Sequence, residues 1–203
     1  LSWERFIVIG GPSHAEEIAL ERLSYLTLAS KSKDNAALLH RLMRTSYLKV
    51  KVSNDVIGIE YAATLKNVYA LASGIAHGLS YGDNFQSVLI SNSTREMNRF
   101  IKKVSNRKRN INHSAYLGDL LVTAYSLFSR NRRFGNMIGR GYTVKGAQLE
   151  MNMVAEGYYA CESAYKMSKS LGVNTPIIDA IYGVLYLKKS PRRMFQKLSK
   201  KLS

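Results

Sequence analysis

The sequence predicts a mainly α protein, in which an all-helical domain over residues 54–203 follows a small α/β unit of about three strands over residues 1–53. Three observations carry that expectation. Alternating or β-branched apolar runs are confined to the first part of the chain. From Asn54 onward the strand signals give way to apolar residues spaced as on a helix face. Those helical stretches are punctuated by Gly74, Gly78, Gly172, Pro176 and Pro191.

The elements follow in order. Phe6-Ile7-Val8-Ile9 is apolar and stops at the turn signal Gly10-Gly11-Pro12. Ser13, with Glu16 three residues on, has capping-box spacing and is expected to start a helix. Leu23–Ser30 alternates enough for a strand. Asp34 is expected to cap a helix carrying Ala37, Leu38, Arg41 and Leu42. Tyr47–Val52 alternates with period two. Three strands are few for a self-sufficient sheet, so this unit reads as the end of a larger domain.

Ile57–Gly78 is a long apolar helix with Lys66 in its middle. Ala62, Ala63, Tyr69 and Ala70 are its helical neighbours, and none can pair with an ammonium. The lysine either snorkels its charge to water or is desolvated and suited to proton transfer. Asp83-Asn84 is expected to cap the next helix, running to Phe100 or a little beyond. Asn110–His113 is a polar break. Ala115–Leu127 is apolar apart from Asp119, and Ser129–Gly141 is rich in glycine and arginine. Val154, Tyr158, Cys161 and Tyr165 form a stripe on a helix expected from about residue 147 to 170. Thr175-Pro176 and Ser190-Pro191 open the last two helices.

Composition narrows the partners. Apolar residues make up 46% of the 203, enough for a sizeable core. The net charge of +16 suits an anionic partner, whether nucleic acid, an anionic surface or an anionic substrate. The basic segments Arg95–Arg109 and Lys188–Ser203 lack the spaced aromatics that would stack bases, so nucleic acid is not the expected partner. No long apolar run suggests a transmembrane segment, and no secretory pattern opens the chain. With a lone cysteine, Cys161, this points to a reducing cytoplasm. Leu1-Ser2-Trp3-Glu4 reads as the interior of a longer protein. The histidines at 14, 40, 77 and 113 lack ligand spacing, so no metal is expected.

Three polar groups stand in apolar or glycine-rich surroundings: Lys66, Asp119 and Ser129-Arg130-Asn131. A carboxylate within Leu117–Val122 needs a partner if buried, and a lysine would serve. The alternative is a helix N-cap. Ser129-Arg130-Asn131 offers a hydroxyl, a guanidinium and an amide, a set that suits phosphate or carboxylate. The alternative is a solvated basic turn. Gly11-Pro12-Ser13, at a helix start, is a second candidate for an anion or a polar ligand oxygen. No GxSxG, Walker loop or GxGxxG is present.

In this order the pieces resemble the NAD(P)-dependent glycerol-3-phosphate dehydrogenase family. The matching stretches are Gly11–Ala15, Ala63–Ala70, Gly118-Asp119-Leu120 with Thr123, Ser129–Gly135, Val154–Gly157, and Pro176-Ile177 with Val184-Leu185-Tyr186. The resemblance implies a Rossmann-type cofactor domain, of which residues 1–53 would be the last part, joined to a helical substrate domain. It implies reversible reduction of dihydroxyacetone phosphate to sn-glycerol 3-phosphate by NADH or NADPH, for phospholipid synthesis. Lys66 would donate and accept the proton, and Asp119 would orient it and contact substrate. Gly11, Ser13, Thr123, Ser129, Arg130 and Asn131 would bind substrate. Ala15, Arg130, Val154 and Glu156 would line the cofactor. A homodimer is an open alternative to a monomer. The glycine-rich cofactor fingerprint is expected upstream of Leu1, so this chain alone is expected to be inactive. The non-enzymatic alternative is a basic binding module for nucleic acid or an anionic surface.

Overall fold

In a computed structural model, residues 6–151 and 155–203 are described. Three strands, β1 (Ile7–Gly10), β2 (Ser24–Ser30) and β3 (Leu48–Ser53), form one sheet with β2 in the centre. Strand β1 runs antiparallel to β2, pairing Ile7 with Ser30 and Gly10 with Thr27. Strand β3 runs parallel to β2, from Ser24 opposite Leu48 to Ala29 opposite Ser53. A parallel neighbour requires a crossover, and helix α2 (Lys33–Met43) supplies it. Leu26, Leu28, Leu48 and Val50 form a small core, with Ile18 of α1 (Ala15–Ala19) and Leu39 and Met43 of α2 packed against it. Val8 and Ala29 join the larger core of the helices instead. One face of the sheet is thus covered by α1 and α2, and the other, over β1 and β2, by the helical core.

Two caps differ from expectation. His14, not Ser13, occupies the N-cap position of α1, and its side chain caps nothing. The Ser13 hydroxyl turns back to donate to the Gly11 carbonyl. Ser32, not Asp34, caps α2 by accepting from the Asn35 amide. Asp34 falls in the first turn, where its charge suits the helix dipole.

Helix α3 (Val56–Gly78) is the centre of the molecule. Every residue from Val68 to Ala76 is buried. Around it lie α4 (Asp83–Val104), α5 (Asp119–Tyr125), α6 (Arg130–Gly139), α8 (Glu156–Ser170) and α9 (Pro176–Leu185). Gly82, rather than Asp83 or Asn84, holds the N-cap position of α4. A single π-helical turn, Ser114–Gly118, leads into α5. Helix α10 (Pro191–Ser199) buries Phe195 and Leu198 and leaves its basic face exposed. No helix among the described residues is long and apolar enough to cross a membrane.

The expected helix from 147 to 170 is two helices. Helix α7 (Val144–Glu150) ends in extended backbone at Met151. Helix α8 starts afresh at Glu156, and the buried side-chain oxygen of Asn131 takes the Gly157 amide at 2.8 Å. That tie comes from α6, so α8 is oriented by a partner distant in sequence.

Two contacts lock the helices. Along α3 and α6 the close contacts advance together, Leu71 against Gly135 and Ile75 against Gly139, so the two helices run in the same direction. A Cβ on Gly135 would stand 2.2 Å from the Leu71 carbonyl oxygen, and one on Gly74 would stand 2.0 Å from that of Arg132. Only glycine allows backbones to approach this closely. At the other end, Asp55 caps α3 through the Gly58 amide. Its carboxylate accepts from Arg109 Nε at 2.8 Å and the Tyr116 hydroxyl at 2.6 Å. Burial works to raise the Asp55 carboxyl, but Arg109, Tyr116 and the Gly58 amide outweigh it and hold the carboxyl below its ordinary value.

The first turn of α9 is satisfied from α4. Pro176 sits in that turn as expected, but Thr175 makes no side-chain cap. Glu96, fully buried, accepts from the Ile177 and Ile178 amides at 2.9 and 3.0 Å. Burial pushes its carboxyl up to about 7, against the pull of those amides.

Gly135→Ala should lower stability by about 1–3 kcal/mol in urea unfolding, although alanine favours helix, because backbone cannot yield as a side chain can. Asp55→Ala should cost about 3 kcal/mol or more, since it strands a buried guanidinium. The stability that ionised Asp55 contributes is complete above its unfolded value near 4 and is lost as pH falls through its lower folded value. Acid titration of stability should show a shallower loss in Asp55→Asn than in the parent chain.

Candidate active site at the junction of α3, α5 and α6

Lys66 lies in the middle of α3, Asp119 opens α5, and Arg130 opens α6. Because α3 packs on both α5 and α6, residues far apart in sequence meet. The Lys66 ammonium donates to Asp119 Oδ1 at 2.6 Å. The Asp119 side chain is 3% exposed and that of Lys66 is 22% exposed. The lysine is thus neither stretched freely into water nor sealed in the core. Asp119 makes no side-chain helix cap and is held as an ion-pair partner instead. Burial pushes its carboxyl above the ordinary carboxylate value, opposed by Lys66, by the Gly11 amide and by His14.

The second oxygen of Asp119 accepts the Gly11 amide at 3.2 Å. Gly11 has φ of 120°, a conformation that favours glycine, and a Cβ there would lie 2.6 Å from the Tyr25 carbonyl oxygen. The turn after β1 can therefore aim its backbone N–H at the carboxylate. Thr123, one turn on from Asp119, donates its hydroxyl to the Asp119 carbonyl at 2.7 Å.

The opposite wall is the start of α6. The Ser129 hydroxyl oxygen accepts the Arg132 amide as the helix cap. The Asn131 side-chain oxygen is taken by Gly157. In both residues the fold uses the acceptor, which leaves the Ser129 O–H and the Asn131 amide N–H as donors. Arg130 and the first-turn amides of α6 stand beside them, and that turn holds no acid. Donors at a helix N-terminus, with the dipole behind them, suit an anion.

One cleft of about 300 Å³ joins the two walls. Lys66, Thr123, Ser129, Arg130, Asn131 and Glu156 line it. Gly11 and Asp119 stand behind the lysine, tied to each other as described. Ser13 and Ala15 do not border the cleft, and Ala15 is exposed at the start of α1. Val154 lies outside the described residues. The cleft adds His14, Ala63, Asn67 and Phe128 to the residues expected from sequence. His14 and Asn67 fall inside the motif stretches Gly11–Ala15 and Ala63–Ala70, which was the available signal. Phe128 carried no signal beyond its place before Ser129. The Asn67 amide donates to Glu156 Oε2 at 3.4 Å. Among the described residues no group of three or more His, Cys, Asp or Glu is placed to hold a metal. Cys161 is buried, and burial pushes its thiol well up.

Residues 55–196 match the family model of the NAD-dependent glycerol-3-phosphate dehydrogenase C-terminus. A Clostridium botulinum protein named glycerol-3-phosphate dehydrogenase (NAD(P)+) is 38% identical over 192 residues, 95% of this chain and 58% of its own length. An Exiguobacterium protein of the same name is 39% identical over 194 residues, 96% of this chain and 57% of its own. The chain thus spans a little under three fifths of the relatives it matches. The crystal structure of glycerol-3-phosphate dehydrogenase from Coxiella burnetii superposes with a TM-score of 0.92 at 30% identity, covering 95% of this chain and 59% of that one. The match takes in α3, α5 and α6 together, the three helices that build the cleft, and on it this chain belongs to the NAD-dependent glycerol-3-phosphate dehydrogenase family, with the family's C-terminal region at residues 55–196.

Proposed function

We propose that this chain is the substrate-binding part of a glycerol-3-phosphate dehydrogenase, which reversibly reduces dihydroxyacetone phosphate to sn-glycerol 3-phosphate. The observation that carries this reading is the Lys66–Asp119 ion pair across a cleft from the donors Ser129, Arg130 and Asn131. Residues 54–203 would form the substrate domain and residues 1–53 the last part of a Rossmann-type cofactor domain. The product would serve glycerophospholipid synthesis in the cytoplasm.

The chemistry follows from the groups present. The donors at the start of α6 hold the substrate phosphate, and a fixed phosphate orients the carbonyl carbon some atoms away. As that carbonyl is reduced, negative charge develops on its oxygen. The Lys66 ammonium stabilises the charge and passes on its proton. Asp119 holds the ammonium in position and, with Gly11, ties the lysine to the turn after β1. In the reverse direction the lysine accepts the proton from the alcohol.

NAD or NADP, when bound, supplies or accepts the hydride. Arg130 and Glu156 border the cleft and fit one end of such a cofactor. A cleft of about 300 Å³ suits a three-carbon ester rather than a whole dinucleotide. The remainder of the cofactor is assigned to residues of a longer protein.

In the intact enzyme, Lys66→Ala should lower kcat by about 10²-fold or more. Arg130→Ala should mainly raise KM, by about tenfold or more. Wild-type turnover in the lysine variant would end the proton-transfer role. The 203-residue chain by itself should show no NADH or NADPH oxidation with dihydroxyacetone phosphate, followed by absorbance. Steady oxidation would overturn the assignment of the cofactor site to a longer protein.

A further inference from the structure

His14 stands on the cleft wall with a hydrogen-bonding atom that the fold does not use. Its Nε2 is buried and has no partner among the described residues. Leaving a buried polar atom unpaired is costly, and such atoms are rare unless they serve a ligand or a water. The position explains how the side chain came free. His14 is the N-cap residue of α1, yet only its backbone carbonyl serves the helix, accepting from the Glu17 and Ile18 amides. The ring is seated edge-on against Phe128, with centroids 6.1 Å apart. Phe128 immediately precedes Ser129, the first donor of the opposite wall. His14 also stands near enough to Asp119 to interact with its carboxyl. The imidazole thus lines the same cleft as Lys66 and the donors at the start of α6.

We propose that His14 is a ligand-contacting residue, giving a hydrogen bond from Nε2 to an oxygen of a phosphorylated three-carbon ligand in the cleft. The proposal rests on the reading of this cleft as a phosphate-ester site. The χ2 torsion of histidine has broad, roughly two-fold wells, so a modest turn of the ring brings Nε2 to the ligand without disturbing the backbone. Recognition then comes from both units of the chain. Ser129, Arg130 and Asn131 grip from the helices, and His14 grips from the turn after β1. The Gly11 amide, held by Asp119, anchors that same turn three residues earlier. Ligand binding would therefore pull the β1–α1 turn against the helices, and a neutral polyol of the same length would do so far less.

Two substitutions separate contact from packing. His14→Phe keeps an aromatic ring against Phe128 and removes both nitrogens. His14→Gln removes the ring but places an amide donor near the position of Nε2. The test is isothermal titration of the 203-residue chain and its variants with sn-glycerol 3-phosphate and with glycerol, with thermal unfolding measured in parallel. It is joined by ¹⁵N NMR of the histidine ring nitrogens in the parent chain. The expected result is about tenfold weaker glycerol 3-phosphate binding in His14→Phe, the loss typical of one hydrogen bond to a charged group. His14→Gln should stay within about threefold of the parent, and the His14 Nε2 resonance should move on adding glycerol 3-phosphate but not glycerol. Unchanged affinity in His14→Phe, or an unmoved resonance, would overturn the proposal. The resonance decides on its own if His14→Phe does not fold. Arg130→Ala tells the two readings apart. If it weakens binding while His14→Phe does not, only the histidine contact is wrong. If the parent chain does not bind glycerol 3-phosphate, the cleft reading fails and the histidine contact fails with it.

Discussion

Backbone meets backbone where α3 runs beside α6, and the rest of the molecule depends on that contact. With glycine at positions 74, 78, 135 and 139, the two helices lie closer than side chains would permit. Their shared direction carries the match one more turn toward the start of each. Asn67 and Asn131 are there brought to the same place, and both meet Gly157 of α8. Lys66 adjoins Asn67, and Arg130 adjoins Asn131. The distance between Lys66 and the donors at the start of α6 is thus set by packing about two turns away. The two helices that carry much of the cleft lining are thus held to each other by backbone contacts.

Two ion pairs show how similar chemistry is put to different uses. Asp55 is sealed by Arg109, Tyr116 and the Gly58 amide, and its partner side chain is only 4% exposed. Every strong bonding position there is spent on holding the start of α3. Asp119 is equally buried, but its partner opens onto a cleft. Lys66 has three donor protons, and Asp119 takes one of them in the described contacts. Lys66 also lines the cleft. The first pair is enclosed by the fold, while the second borders an open cleft.

Asp119 also joins the sheet to the helices. Its two oxygens are divided between a lysine on α3 and an amide from the turn after β1. A change in how the sheet sits on α3 would therefore be felt at the ammonium. The α/β unit is more than a support for this site, since the turn after β1 contributes Gly11 and the wall residue His14.

Much of this was legible in the sequence. The three strands, the long apolar helix and the order of the helical elements follow from local periodicity and punctuation, which need no knowledge of partners. The family resemblance brought Lys66, Asp119 and Ser129-Arg130-Asn131 together as one site. Local rules misplaced the caps at Ser13 and Asp34, because several capping residues lie within a few positions and backbone angles choose among them. They also joined α7 to α8, because the start of α8 is set by Asn131 from another helix. The sequence by itself determined which residue types were available and on which elements they would ride. Only the tertiary structure decided whether Lys66 would reach water or a carboxylate. That choice was made by Asp119, 53 residues away, and burial gives an ion pair its strength only once packing has removed the water around it.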